Sequence, residues 1–69
     1  MKISKEELEG RGFYHDRDNC YEFYFDGVMF NNKNNTFYEF CEVLGVGEEI
    51  VRVKNRKEFE TIINEYEYR

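Results

Sequence analysis

Residues 20–44, CYEFYFDGVMFNNKNNTFYEFCEVL, decide the fold of this 69-residue chain. They hold eight of its thirteen aromatic residues and both of its cysteines. Asp26-Gly27 separates two aromatic runs, and such a dipeptide is a strong cue for a two-residue hairpin turn because both positions accept positive φ. A turn there places Phe23 opposite Phe30. The stretch therefore predicts an antiparallel meander.

The alternation of side chains along a strand sorts this hairpin into two faces. The first face is almost wholly apolar and predicts a core: Tyr21, Phe23, Phe25, Val28 and Phe30. The second face is mixed: Glu22, Tyr24, Met29 and Asn31. The second face is unusually large for a surface that contacts only water.

A third strand is expected over residues 36–44, after a turn in the Asn-rich residues 32–35. A symmetric register across that turn opposes Phe37 to Phe30 and Tyr38 to Met29. It assigns Cys41 and Val43 to the core side, together with Glu39, and it assigns Phe40, Glu42 and Leu44 to the second face. A bulge near Glu39 that moves Phe40 inward is the open alternative.

A short helix is expected before the meander. Ser4 and Glu7 have the spacing of a capping box, and Ile3 and Leu8 stand at the positions of a hydrophobic staple. Such a short helix is unstable alone and must dock on the sheet. A short edge strand over residues 13–15 is possible between this helix and the hairpin.

A longer helix is expected at the other end of the chain. Residues 45–48 are predicted to form a loop and residues 49–54 a fourth strand. Asn55 and Glu58 then form a second capping box. An apolar stripe at helical spacing follows: Phe59, Ile62, Ile63 and Tyr66. Together these elements predict an α+β domain over residues 1–69, with a three- to four-stranded antiparallel sheet and two helices.

The composition predicts a cytoplasmic protein. The N-terminal residues have no apolar signal region, and no apolar run reaches membrane-spanning length. Two cysteines are too few for a disulfide scaffold, so free thiols are expected. His15, with Asp16 and Asp18 nearby, matches no metal-ligand spacing and is interpreted as part of a turn. We expect no catalytic residue, no cofactor and no metal.

The charge distribution points to a basic protein partner. The net charge is −5, and residues 18–51 hold seven acidic residues against Lys33 alone. An acidic surface disfavours direct contact with nucleic acid and anionic membrane. Aromatic residues and Met ringed by charge are typical of an interface core with a polar rim. The predicted partner-binding residues are Glu22, Tyr24, Asp26, Met29, Tyr38, Glu39, Phe40, Glu42, Glu48 and Glu49. Such a patch suits a foreign partner or a homodimer, and a purely solubilising acidic surface is the alternative.

A second candidate site is the one basic cluster in the chain. It consists of Arg52, Lys54, Arg56 and Lys57. Cations in the first turn of a helix are better tolerated when an anion binds there, which suggests a phosphate or nucleotide site. Solvated charge is the competing interpretation, because Asn55 and Glu58 are already expected to satisfy the helix amides.

The opening SKEELEGRGF (residues 4–13), the central aromatic strands and the closing VRVKNRKEFETIINEY (residues 51–66) resemble small acidic proteins from phages and prophages of low-GC bacteria. Proteins of that class are often inhibitors of host machinery, including anti-CRISPR and other anti-defence proteins. The resemblance implies a phage-encoded inhibitor that blocks a host defence or nucleic-acid-handling protein. A nucleotide-binding protein and a self-assembling structural phage protein are the alternatives.

Overall fold

The computed structural model describes residues 1–67. The elements follow the order α1 (Lys5–Gly10), β1 (Tyr14–His15), β2 (Glu22–Phe25), β3 (Val28–Asn31), β4 (Thr36–Cys41), β5 (Gly45–Arg52) and α2 (Arg56–Glu67). The strands form one antiparallel sheet in the order β1-β2-β3-β4-β5. The expected α+β meander with a short first and a longer last helix is confirmed. The final two residues of the predicted 1–69 domain, Tyr68 and Arg69, lie outside the described part of the chain.

The register of the central strands matches the sequence prediction. Asp26 and Gly27 have φ values of 40° and 86°, as a two-residue turn of this kind requires. Phe30 lies opposite Phe23 on one side and opposite Phe37 on the other. Three phenylalanines from β2, β3 and β4 therefore form one row across the middle of the sheet.

Both helices pack on the side of the sheet that carries this phenylalanine row. Phe59 of α2 stands at the centre, with its ring 5.1 Å from that of Phe30 and 5.7 Å from that of Phe37. The full buried core is Ile3, Leu8, Phe13, Phe23, Val28, Phe30, Phe37, Val53, Phe59 and Ile63. The sheet is therefore covered by both helices on one side, and its other side is left without a helix.

The helices also contact each other. Arg11, just after α1, forms an ion pair with Glu60 of α2 and lies over the Phe59 ring at 5.5 Å. Glu7 of α1 accepts a 2.6 Å hydrogen bond from Arg56. These contacts join the two ends of the chain above the sheet.

The predicted helix caps are present. The backbone N–H of Glu7 donates to the Ser4 hydroxyl at 3.2 Å, and that of Glu58 donates to Asn55 Oδ1 at 2.9 Å. The Glu58 carboxylate in turn accepts from the backbone N–H of Lys54 at 2.9 Å. Both helix starts thus follow the sequence signals.

The β4–β5 connection differs from the prediction. β4 ends at Cys41, residues 42–44 form the turn, and Gly45, with φ of 81°, begins β5. The expected loop over residues 45–48 is therefore strand. Val43, expected on the core side, is 89% exposed in the turn. Gly45, which accepts positive φ, follows the turn directly, whereas the prediction made Gly45 the first residue of a longer loop.

The open alternative of a bulge near Glu39 in the third strand is not what the structure shows, since the irregularity lies in β5. Tyr38 pairs with Glu49 and Phe40 pairs with Val46, so β5 carries extra residues opposite β4. Val28 and Glu39 remain directly opposite each other in the β3–β4 pairing. The alternative in which a bulge moves Phe40 into the core is therefore wrong. The sheet has one strand more than the predicted maximum of four. The additional strand is β1, which overlaps the possible edge strand over residues 13–15.

Candidate partner-binding face

The side of the sheet opposite the helices is here called the open face. Residues directly opposite each other in an antiparallel pair share a face. One row crosses all five strands on this side: Tyr14, Tyr24, Met29, Tyr38 and Glu49. Glu22 and Phe40 flank the row, two positions away from Tyr24 and Tyr38 along their strands. The open face is thus rich in aromatic rings and in carboxylates.

The rings of the open face pack on one another. The Tyr24 and Phe40 rings lie 4.3 Å apart at an interplanar angle of 46°. Met29 lies between Tyr24 and Tyr38 in the register and is only 3% exposed. Met29 thus lies beneath the aromatic rings of the open face. A partner can contact those rings but not Met29 itself.

Carboxylates hold the polar edge of this layer. The Tyr24 hydroxyl lies within hydrogen-bond distance of Glu22 at 3.0 Å and of Asp16 at 3.3 Å. Burial of the ring, followed by the two negative charges, raises the pKa of Tyr24 well above its usual range. Tyr24 therefore stays a neutral donor, fixed to the acidic rim.

A shallow depression of about 320 Å³ opens at the β1–β2 side of the open face. It is lined by Tyr14, Tyr24, Phe25, Asp26, Gly27, Phe40 and Glu42. Four of these are predicted partner-binding residues, from two turns and two strands. The depression has an apolar floor and one carboxylate on each of two turns, which suits a basic side chain with a long aliphatic stem.

Two predicted residues lie apart from this cluster. Glu39 is opposite the buried Val28 and so belongs to the helix-bearing side, where it is exposed near Gly47. Glu48 is exposed in the irregular part of β5, next to Glu49. The structure therefore brings most of the predicted face together and leaves these two carboxylates at its margin.

The basic cluster is only partly assembled. Arg56 is engaged by Glu7, and this hydrogen bond and charge raise the pKa of the guanidinium. Arg52, Lys54 and Lys57 line a shallow groove of about 450 Å³ between the edge of β5 and α2. The amide of Glu58 donates to Asn55 and not to solvent. At the predicted anion site at the start of α2, one of the four cations is thus paired and the Glu58 amide is already engaged.

The surroundings of His15 and of the two cysteines are those of residues in turns and on the protein surface. The His15 ring stacks on Phe23 at 4.7 Å, and Nε2 lies 3.3 Å from the carbonyl oxygen of Cys20. The Asp16 carboxylate accepts a hydrogen bond from the backbone N–H of Asp18 at 2.8 Å, which is the turn interaction that was predicted.

Cys20 and Cys41 are both free and exposed, as expected. Within residues 1–67, no group of His, Cys, Asp and Glu side chains has an arrangement able to hold a metal ion.

Three highly exposed apolar or aromatic residues are absent from the predicted partner-binding set: Tyr14, Val43 and Leu44. Tyr14 is 78% exposed and lines the depression. The possible strand over residues 13–15 contained the signal for it, because side chains alternate along a strand and an inward Phe13 places Tyr14 on the outer face. Val43 and Leu44 form an exposed apolar turn, whereas the sequence predicts both in the third strand, with Val43 on the core side and Leu44 on the second face. The sequence at Leu44 has no feature that distinguishes a turn from a strand.

Comparison with protein-family models, with curated proteins and with solved structures finds no match for this chain. Among the described residues, no helix is long and apolar enough to cross a membrane. The functional argument therefore depends on the geometry and charge of the open face.

Proposed function

We propose that this protein is an inhibitor that binds a partner protein through its open face and blocks the partner's basic surface. The observation that carries the proposal is the position of both helices on one side of the sheet. The opposite side keeps an uncovered aromatic layer with a carboxylate rim. Uncovered aromatic surface next to charge is characteristic of protein interfaces.

Charge and aromatic rings have separate roles in this proposal. Asp26, Glu42 and Glu49 are exposed, and they steer a basic partner towards the face. Tyr14, Tyr24 and Phe40 then supply buried contact area, which is the usual source of most binding energy. The depression between them accepts a Lys or Arg side chain of the partner.

The partner class follows from the same features. A basic groove that normally holds nucleic acid presents Lys and Arg to an incoming acidic surface. Occupation of such a groove by the open face excludes nucleic acid without any catalytic step. The resemblance to small acidic phage proteins supports a host defence or nucleic-acid-handling protein as the target, with binding in the host cytoplasm.

Affinity capture with three matched baits tests the proposal. The baits are the wild-type protein, the open-face variant Phe40→Asp and the control variant Asn64→Asp, which adds the same negative charge at an exposed position of α2, on the helix-bearing side of the sheet. Lysate of a low-GC bacterium provides the candidate partners. Each candidate is then purified and tested for a stoichiometric complex and for loss of nucleic-acid binding.

We expect a basic protein that binds the wild-type and control baits and is lost from Phe40→Asp. Thermal unfolding of each bait establishes that it is folded. A partner that binds all three folded baits equally would place the interface elsewhere. A partner that binds but keeps its activity would contradict inhibition while leaving the interface intact.

A further inference from the structure

The turn between β4 and β5 is an exposed apolar projection, here called the hairpin tip (residues 42–44). Val43 and Leu44 are 89% and 86% exposed, more than any other large apolar side chain in the described residues. The turn has a defined shape. It joins Cys41, the last residue of β4, to its register partner Gly45, the first residue of β5, which has φ of 81°. A turn held in this way loses little conformational freedom when it binds.

The hairpin tip is acidic as well as apolar. From Glu39 to Glu49 the chain has four carboxylates and no basic residue. A surface that receives the tip must therefore offer apolar contact inside a positive rim. An anionic lipid surface repels such a segment.

The groove between β5 and α2, here called the β5–α2 groove, has this complementary character. It is lined by Val51, Arg52, Val53, Lys54, Lys57, Glu58, Thr61 and Ile62. Three of these residues are cationic. The one carboxylate, on Glu58, already accepts the backbone N–H of Lys54 at 2.9 Å. The groove thus combines an apolar floor with a net positive rim.

The hairpin tip and the β5–α2 groove lie at opposite ends of β5. The tip immediately precedes Gly45, and the groove begins at Val51. At roughly 3.3 Å per residue, the strand separates the two by roughly 20 Å. A molecule therefore cannot place its own tip in its own groove, but a second copy aligned along the same axis can.

We propose that the hairpin tip of one molecule docks in the β5–α2 groove of a second copy, giving head-to-tail self-association. Leu44 contacts Val51 and Ile62 of the second copy. Glu42 approaches Lys54 and Lys57. The two surfaces differ, so the contact is heterologous and each dimer keeps one free tip and one free groove. The groove and the apolar tip residues lie outside the open face, and Glu42 is the residue that this contact shares with the open-face proposal.

The contact area is small, so the association is weak. Interfaces below the standard size are typically transient, and we expect a dissociation constant on the order of 100 µM at low ionic strength. Salt screens the pairing of Glu42 with the lysines and lowers the affinity several-fold. The apolar contact of Leu44 persists in salt.

Analytical ultracentrifugation over a concentration series tests the proposal. The tip variant is Leu44→Asp, and the groove variant is Lys54→Glu/Lys57→Glu. The control variant Lys2→Glu/Lys5→Glu changes the net charge by the same amount as the groove variant but lies outside both surfaces. Circular dichroism establishes that each variant is folded, and Leu44→Ser replaces Leu44→Asp if the latter unfolds.

We expect the wild type and the control to self-associate, and the tip and groove variants to be monomeric when alone. An equimolar mixture of the tip and groove variants should form a dimer and nothing larger, because only one intact tip and one intact groove remain per pair. A monomeric wild type at about 1 mM would overturn the proposal, since an interface of this size is measurable there. Self-association retained by both variants, or tip-dependent binding to neutral phosphatidylcholine vesicles by a monomeric wild type, would also overturn it.

Discussion

The rings of Tyr24 and Phe40 lie 4.3 Å apart on the side of the sheet that neither helix covers. Between them and Tyr38, Met29 is buried almost as completely as the residues of the main core. The sheet therefore carries a second, thin apolar layer. This layer is stabilised by its own rings, and it leaves their outer surfaces available to a partner.

The thin layer makes a measurable contribution to stability. Phe40→Ser removes the ring that packs on Tyr24, and it should lower the free energy of unfolding by about 1–3 kcal/mol. Tyr14→Ser, at a 78% exposed position of the same face, should change it by less than about 0.5 kcal/mol. Urea denaturation measures both. Equal effects of the two substitutions would argue against a packed layer.

The turn between β2 and β3 depends on glycine. Gly27 has φ of 86°, and Gly27→Ala should destabilise the fold by about 1 kcal/mol or more. Gly10 is the last residue of α1 and has open space where a Cβ would lie. Gly10→Ala should be neutral or stabilise by up to about 1 kcal/mol. Both sites have open space for a Cβ, so opposite signs in thermal unfolding would assign the cost at Gly27 to its backbone conformation.

The ion pair between Glu7 and Arg56 makes part of the stability depend on pH. The hydrogen bond from Arg56 lowers the pKa of the Glu7 carboxyl despite partial desolvation. A depressed pKa in the folded state contributes stability above the ordinary glutamate pKa, and this stability is lost as the pH falls through the folded value. Arg56→Gln should raise the pKa of Glu7 towards the ordinary value and reduce the loss of stability in acid. Carbon-detected NMR titration of Glu7 measures the shift, and an unchanged pKa in Arg56→Gln would contradict the pairing.

The rim carboxylates should govern the rate of association with a basic partner. Glu42→Lys reverses a charge at the depression, and we expect association to slow several-fold at low salt, with the difference fading at high salt. Glu9→Lys makes the same change in net charge on exposed α1 and is the control. Stopped-flow mixing with the purified partner separates the two. A slowing of equal size in both variants would assign the effect to net charge alone.

The sequence was sufficient to predict the centre of the fold. Asp26-Gly27 determines a turn whose two positions need positive φ, and the alternation of side chains then specifies the pairs Phe23–Phe30 and Phe30–Phe37. The stripe that includes Phe59 and Ile63 likewise predicts which side of α2 is buried. These signals are local, so a single sequence is enough to interpret them.

The end of the sheet was less predictable because its pattern is weak. The turn at residues 42–44 contains no usual turn-forming residue, and β5 has extra residues opposite β4, which interrupt strict alternation. The choice of sheet face for each helix was also undetermined. Both faces of the meander carry aromatic residues, and the core that Leu8 of α1 shares with Phe59 and Ile63 of α2 depends on contacts between distant parts of the chain.

Hydroxyl-radical footprinting of the captured complex tests the central claim most directly, because it reports the exposure of individual aromatic side chains. The account predicts that Tyr14, Tyr24 and Phe40 become protected when the partner binds, while Tyr21, which lies outside the open-face row, keeps its reactivity. Protection of Tyr21 with unchanged reactivity of Tyr14 and Phe40 would contradict the account, since the partner would then bind away from the open face.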